Sequence, residues 1–206
     1  GGTHGDADQV HPPLELTVDL GGRSQRVHLV GRTEVLVDGG RASLVLVAKD
    51  PPSGVELARE RLHYGLRGFV DHLVLRAAGL GGGPHRTLVA YAGPTGSQDA
   101  SLRFGDPGPD QARAILQMWI ADLLGSAHAY FLPSEAVFAD PRGWRTMTPE
   151  SLARAIEVSR RRGGRWHFGP IPKERLGGLP APAAEEAKAM VDRRFAPYFG
   201  LAGLSG

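Results

Sequence analysis

Gly31-Arg32-Thr33-Glu34-Val35-Leu36-Val37-Asp38-Gly39-Gly40-Arg41-Ala42-Ser43-Leu44-Val45-Leu46-Val47-Ala48-Lys49 is the stretch that decides the fold. Two runs rich in β-branched and apolar residues, 33–37 and 42–49, flank an Asp-Gly-Gly turn, and this is a strong hairpin signal. An acid, Glu34, opens the first strand and a base, Lys49, closes the second. Successive strand residues point to opposite faces, so Val47 and Lys49 share one face.

This layout resembles that of restriction-enzyme-like nucleases of the PD-(D/E)xK type. In those enzymes an Asp follows the first strand's Gly, and a (D/E)-x-K triplet lies on the second strand. Here the triplet is Val47-Ala48-Lys49, so a valine stands where the family has an acid. The loss bears on chemistry. Mg²⁺ takes hard oxygen ligands in near-octahedral geometry, and metal-assisted phosphodiester hydrolysis needs the ion to activate water. Glu34 alone is a thin ligand set, so the hairpin is expected to be catalytically inactive and to hold no metal. No cofactor is expected.

Composition narrows the classes. The chain has 206 residues and is 41% apolar, enough for one sizeable core. It has no cysteine, which excludes disulfide frameworks and zinc–thiolate sites. No apolar run reaches the roughly 18 residues of a membrane span, and the N-terminus lacks the pattern of a signal peptide. A cytoplasmic protein with no membrane partner is expected. Net charge is only +2, with arginine dominating the cations, so charge alone does not imply nucleic-acid binding.

The rest of the pattern is α+β. Residues 1–13 read as a disordered lead-in or tag remnant, and residues 14–206 as one domain. Leu14–Leu20 and Ser24–Val30 alternate as strands and, with the hairpin, predict an antiparallel sheet of about four strands. Val55–Ala78 has the spacing of a long amphipathic helix, with Leu62, Leu66, Phe69, Leu73 and Ala77 on one face. Strands follow at Thr87–Tyr91 and Ala100–Phe104. A second helix carries Ala112, Ile115, Leu116, Trp119 and Ile120. A short segment lies at Ser134–Phe138. A third helix starts at Thr148-Pro149-Glu150, with Thr as N-cap and Pro at the first position, and ends before Gly163-Gly164. A Pro/Gly-rich loop spans about 168–182, and a last helix about 183–195. The expected architecture is a mixed or antiparallel central sheet flanked by helices, of restriction-endonuclease-like type.

Three segments after the hairpin carry a second, more specific resemblance. They are Phe69-Val70-Asp71-His72-Leu73-Val74-Leu75-Arg76-Ala77-Ala78-Gly79, then Tyr130-Phe131-Leu132-Pro133-Ser134-Glu135-Ala136, then Arg193-Arg194-Phe195-Ala196-Pro197-Tyr198-Phe199. In order and spacing, residues 14–201 resemble the C-terminal domain of the exodeoxyribonuclease V gamma-subunit (RecC) family. That resemblance implies a decayed nuclease-like domain and a non-catalytic role within a helicase–nuclease complex that processes double-strand breaks. It implies helicase–nuclease subunits as partners and DNA as a possible one. The chain keeps Glu34 and Lys49, the residual nuclease-like positions.

Two further sites are candidates. Arg160, Arg161, Arg162 and Arg165 with Trp166 combine cations with an aromatic, as in strand-tracking grooves; a solvated helix C-terminus offers the same residues a simpler role. Phe195, Tyr198 and Phe199 either pack internally or anchor a partner subunit. His72, close to the apolar face of the long helix, is expected to be a hydrogen-bonded structural histidine. Besides docking, the alternatives are a stand-alone DNA-binding module and a weak Mg²⁺-dependent nuclease using Glu34 and Lys49.

Overall fold

In the computed structural model, which describes residues 11–126, 128, 130–140, 146–161 and 178–204, the hairpin forms around three consecutive left-handed residues, Asp38, Gly39 and Gly40, with φ of 54°, 63° and 83°. Only glycine enters that region without steric cost, and Asp is among the few side chains that tolerate it. The turn joins β3 (Val35–Val37) to β4 (Ala42–Val47), antiparallel, with Val35 opposite Leu44.

The sheet grows from β4 in an unexpected direction. β1 (Leu14–Asp19) and β2 (Ser24–Leu29) pair only with each other, as a separate two-stranded ribbon. The single antiparallel sheet expected over residues 14–49 is therefore not formed. β4 pairs instead with β5 (His85–Gly93), in parallel, and β5 pairs with β6 (Gly96–Phe104), giving the order β3-β4-β5-β6. The physical reason lies in burial. β1 buries Leu14, Leu16 and Val18 on one face and exposes the alternate residues, whereas β2 is largely exposed. Such a ribbon needs one partner surface, and it packs on α2 (Gly108–Gly125). The fold class is α+β, with a mixed sheet.

Parallel strands need a crossover, and α1 (Gly54–Ala77) supplies it between β4 and β5. Leu62, Phe69, Leu73 and Ala77 are fully buried at seven- and four-residue spacings, one face of the helix. Two glycines let this helix lie close on the sheet. A Cβ at Gly65 would meet Leu102 Cδ2 at 2.7 Å and the Tyr198 hydroxyl at 2.8 Å, and one at Gly68 would collide with the Thr87 side chain.

The main core lies between α1, the β1–β2 ribbon and the remaining helices. These are α2, α3 (Ser134–Val137), α4 (Pro149–Arg161) and α5 (Ala184–Leu201). Phe69 sits among Phe104, Trp119 and Tyr198, with ring centroids 5.0, 5.8 and 5.2 Å away. Thr148 caps α4 by accepting the Ser151 amide at 3.2 Å. The last helix runs past the expected end near residue 195 to Leu201, with Pro197 inside it. Proline there removes one helical donor, and the buried aromatic contacts of this last turn outweigh that loss. Of the sequence expectations, the lead-in over 1–10, the Gly163-Gly164 stop and the loop as far as residue 177 lie outside the described residues.

Candidate functional site

Where β4 ends, Lys49 turns toward α1. Its backbone amide bonds the Val47 carbonyl at 2.9 Å, and the Asp50 carboxylate accepts the Thr95 amide at 2.8 Å. Asp50 is held below its ordinary range by hydrogen bonds from Thr95, side chain first and then backbone. Gly93 makes this closeness possible, because a Cβ there would run into the backbone of Lys49 and Asp50. The β5–β6 turn thus clamps the segment that carries Lys49.

So fixed, the Lys49 ammonium donates to Glu60 Oε1 at 2.6 Å. Glu60 lies on α1 and is fully buried, while the Lys49 side chain is 39% exposed. Among the described residues neither the second carboxylate oxygen, Glu60 Oε2, nor the buried Tyr91 hydroxyl makes a well-aligned hydrogen bond, and these two side chains lie within reach of each other. Burial, and next the Glu60 charge, push the Tyr91 hydroxyl well above its ordinary value. Burial also raises Tyr64. His63 is lowered to about 4, mainly by burial and then by the Lys49 and Arg67 cations, so it is neutral at pH 7. The cluster therefore holds one buried carboxylate paired with one ammonium, beside His63, Tyr64 and Tyr91, which are uncharged at pH 7.

Val47, at the position where the nuclease triplet has an acid, is buried with Val45, Val89 and Tyr91 beneath Leu57 and Tyr64. Glu34 does not join Lys49. It precedes β3 and pairs with Arg67 on α1 at 2.7 Å. Glu60 and Arg67 are seven residues apart, so the two ion pairs stand about 10 Å apart along the helix. Among the described residues no group of three or more His, Cys, Asp or Glu is arranged to hold a metal ion.

A second polar cluster has the composition of a hydrolytic triad without its geometry. The Ser43 hydroxyl donates to Asp71 Oδ2 at 2.7 Å and lies 2.9 Å from His85 Nε2. Asp71 Oδ2 also accepts the Glu34 amide at 3.1 Å. A nucleophilic serine gives its proton to an imidazole that the carboxylate orients. Here the serine stands between the two and is fully buried, so no substrate reaches it. His85 stacks on His72, ring centroids 5.0 Å apart, and His72 Nε2 lies 3.0 Å from the Gly105 carbonyl oxygen. The cluster ties β4, α1, β5 and the end of β6 together, and His72 has the structural role its position on the helix implies.

The aromatic tail faces inward. Tyr198 and Phe199 are fully buried, and the Tyr198 hydroxyl donates to the Leu62 carbonyl at 2.7 Å. Phe195 is partly buried, its ring 5.8 Å from that of Phe138. Tyr198 and Phe199 belong to the core, which corrects the partner-anchor reading for those two, whereas Phe195 keeps part of its surface exposed. Arg160 is also engaged internally. It donates to the Leu179 carbonyl at 3.2 Å, pairs with Glu157 and stands over the Phe131 ring at 5.6 Å. Arg161 is exposed at the end of α4, while Arg162, Arg165 and Trp166 lie outside the described residues.

Glu60 is the site residue that sequence reasoning missed. An acid spaced three residues after Leu57 and four before Tyr64, on the helix face that covers Val45 and Val47, was the available signal. Among the described residues no helix is long and apolar enough to cross a membrane. No family model matches the chain, and neither a curated protein nor a solved structure does.

Proposed function

We propose that this chain is a non-catalytic module of the exodeoxyribonuclease V gamma-subunit type. In this reading it docks onto helicase–nuclease partner subunits in the cytoplasm and helps guide DNA during double-strand break repair. One observation carries the non-catalytic part: the lysine of the nuclease-like triplet is bound to Glu60, and its neighbour Val47 is buried in an apolar layer. A hydrolytic site needs several oxygen ligands around the ion, and here Glu60 is held by Lys49 while the Asp50 carboxylate is held by the Thr95 amide. The docking part rests on the three sequence segments that resemble the family. DNA contact rests on Arg161, exposed at the end of α4, and on the arginines that follow it in sequence.

A weak Mg²⁺-dependent nuclease is the second reading. The observation in its favour is the second carboxylate oxygen of Glu60, which Lys49 does not engage. The two separate in one experiment. Linear single- and double-stranded DNA is incubated with the chain and Mg²⁺ or Mn²⁺, beside a binding titration at two salt concentrations and co-sedimentation with purified helicase–nuclease subunits. The docking module predicts co-sedimentation without cleavage. Cleavage that Lys49→Ala abolishes would make the chain a nuclease. Salt-sensitive DNA binding without co-sedimentation would leave a stand-alone DNA-binding module.

A further inference from the structure

The two faces of the β3–β6 sheet are unequal. Ser43, Val45 and Val47 on β4, with Thr87, Val89 and Tyr91 on β5, face α1 and are buried. The alternate residues face the other way, and no described helix packs there. Val35 and Leu46 are 59% and 69% exposed, and Leu44 and Leu88 are half-buried. Val35 is the cross-strand partner of Leu44, and Leu44 of Leu88, so these side chains form one continuous aliphatic stripe over three strands. Apolar surface gathered on one sheet face marks an interaction site more often than scattered exposure does.

At the turn end of the same face the charge is lopsided. Arg86 and Arg103 are direct cross-strand partners, both exposed. Like charges directly opposite one another destabilise a sheet. Asp38 relieves Arg86 at 3.2 Å and is shared with Arg41 at 3.3 Å, while Arg103 has no acid among the described residues. At the turn end this strand pair keeps two opposed arginines with one shared acid, while Asp99, opposite Ala90, puts the other acid of this face at its far end.

We infer that this open face docks an amphipathic helix of a partner protein, its apolar stripe over Val35, Leu44, Leu46 and Leu88 and its carboxylates against Arg86 and Arg103. A helix fits because an amphipathic helix covers a sheet face by its apolar stripe, as α1 does on the opposite side. A protein fits better than a nucleic acid, because the exposed apolar groups are aliphatic and offer no rings on which bases stack. The inference deepens the docking reading above by naming its surface and partner chemistry.

The test uses a helix-stabilised peptide with a Leu/Ile stripe and a glutamate-rich end, beside a counterpart with lysines at that end. Binding is followed by backbone amide shifts. The expected result is shifts along Leu44, Leu46 and Leu88, affinity about tenfold or more in favour of the glutamate peptide, and reversal of that preference in Arg86→Glu/Arg103→Glu. Leu46→Asp, an exposed change that leaves the circular dichroism spectrum intact, should abolish binding. Shifts elsewhere, no charge preference, a dimer formed through this face, or oligonucleotide binding there would each overturn the inference. The helicase–nuclease subunits are tested in parallel. If they bind and Leu46→Asp makes no difference, the docking reading stands and this surface is wrong. If the peptide binds as expected and the subunits do not, the surface stands and the gamma-subunit reading falls.

Discussion

Lys49, at the end of β4, and Glu60, in the second turn of α1, form a 2.6 Å ion pair whose acid is sealed from solvent and whose base is not. The pair joins the strand before the crossover to the helix that makes it. A buried pair contributes little over an apolar pair of the same shape, yet loss of one member leaves a charge stranded.

Lys49→Met should therefore destabilise the fold, by about 1–3 kcal/mol once the partial exposure of the lysine is discounted. Lys49→Met with Glu60→Leu should restore most of that loss. Urea unfolding of the two variants checks it; an additive double variant would mean that the two residues are not coupled.

Gly68→Ala should destabilise, against the ordinary gain of about 1 kcal/mol for Gly→Ala in a helix. The new methyl meets the Thr87 side chain on β5, and overpacking of this kind costs about 1–3 kcal/mol. Adding Thr87→Ala should recover part of the loss, as read by the thermal midpoints of the single and double variants.

Stability should fall on acidification below pH 6.5. Burial holds His63 and His85 at about 4, against 6.5 in the unfolded chain. Over that window the unfolded state binds more protons at both, so their contributions grow as pH rises. Asp71 acts oppositely. Burial raises it from 3.8 to about 6, so its contribution is complete at low pH and is lost as pH rises through 6. Burial lowers His72 as well, so three histidines against one carboxyl give a net rise with pH. Asp71→Asn removes the opposing contribution while keeping an acceptor for Ser43, so its stability should climb more steeply between pH 4 and 6.5. Denaturant midpoints across that range measure both slopes.

Tyr198→Phe should cost about 1–2 kcal/mol, because it leaves the Leu62 carbonyl without its buried donor. Tyr198→Ala should cost about 3–5 kcal/mol through the cavity. Both losses should show in unfolding of the isolated chain with no partner present.

Much of this was legible in the residues. The Asp38-Gly39-Gly40 turn, the Thr148-Pro149 helix start and the Leu62–Phe69–Leu73 stripe are local patterns, and local patterns carry their own geometry. What escaped was non-local. Nothing in the alternation of Leu14–Asp19 says that β1 seeks α2 rather than β3. Nothing near Val47 says that β5, beyond a long helix, becomes its neighbour. The candidate site failed in the same way. Glu34 and Lys49 are close in a hairpin diagram, but α1 offers each a different partner, Arg67 and Glu60, two turns apart. The tail aromatics were equally suited to core or interface until the path of the last helix was known.

The parallel seam between β4 and β5 has a kinetic consequence. β5 and β6 meet through a tight turn at Pro94-Thr95, and hairpins of this kind form in about 1–10 μs. β4 reaches β5 only after residues 48–84 have closed into a loop and coiled as α1, and such distant pairings set the pace of folding. The β5–β6 hairpin is thus an early template. The arrival of β4, which brings Lys49 to Glu60 and completes the sheet, is the step expected to be slow. Until then the growing sheet shows its neighbours a bare edge at β5, and haste in the crossover helix is the chain's chief protection against pairing with a stranger.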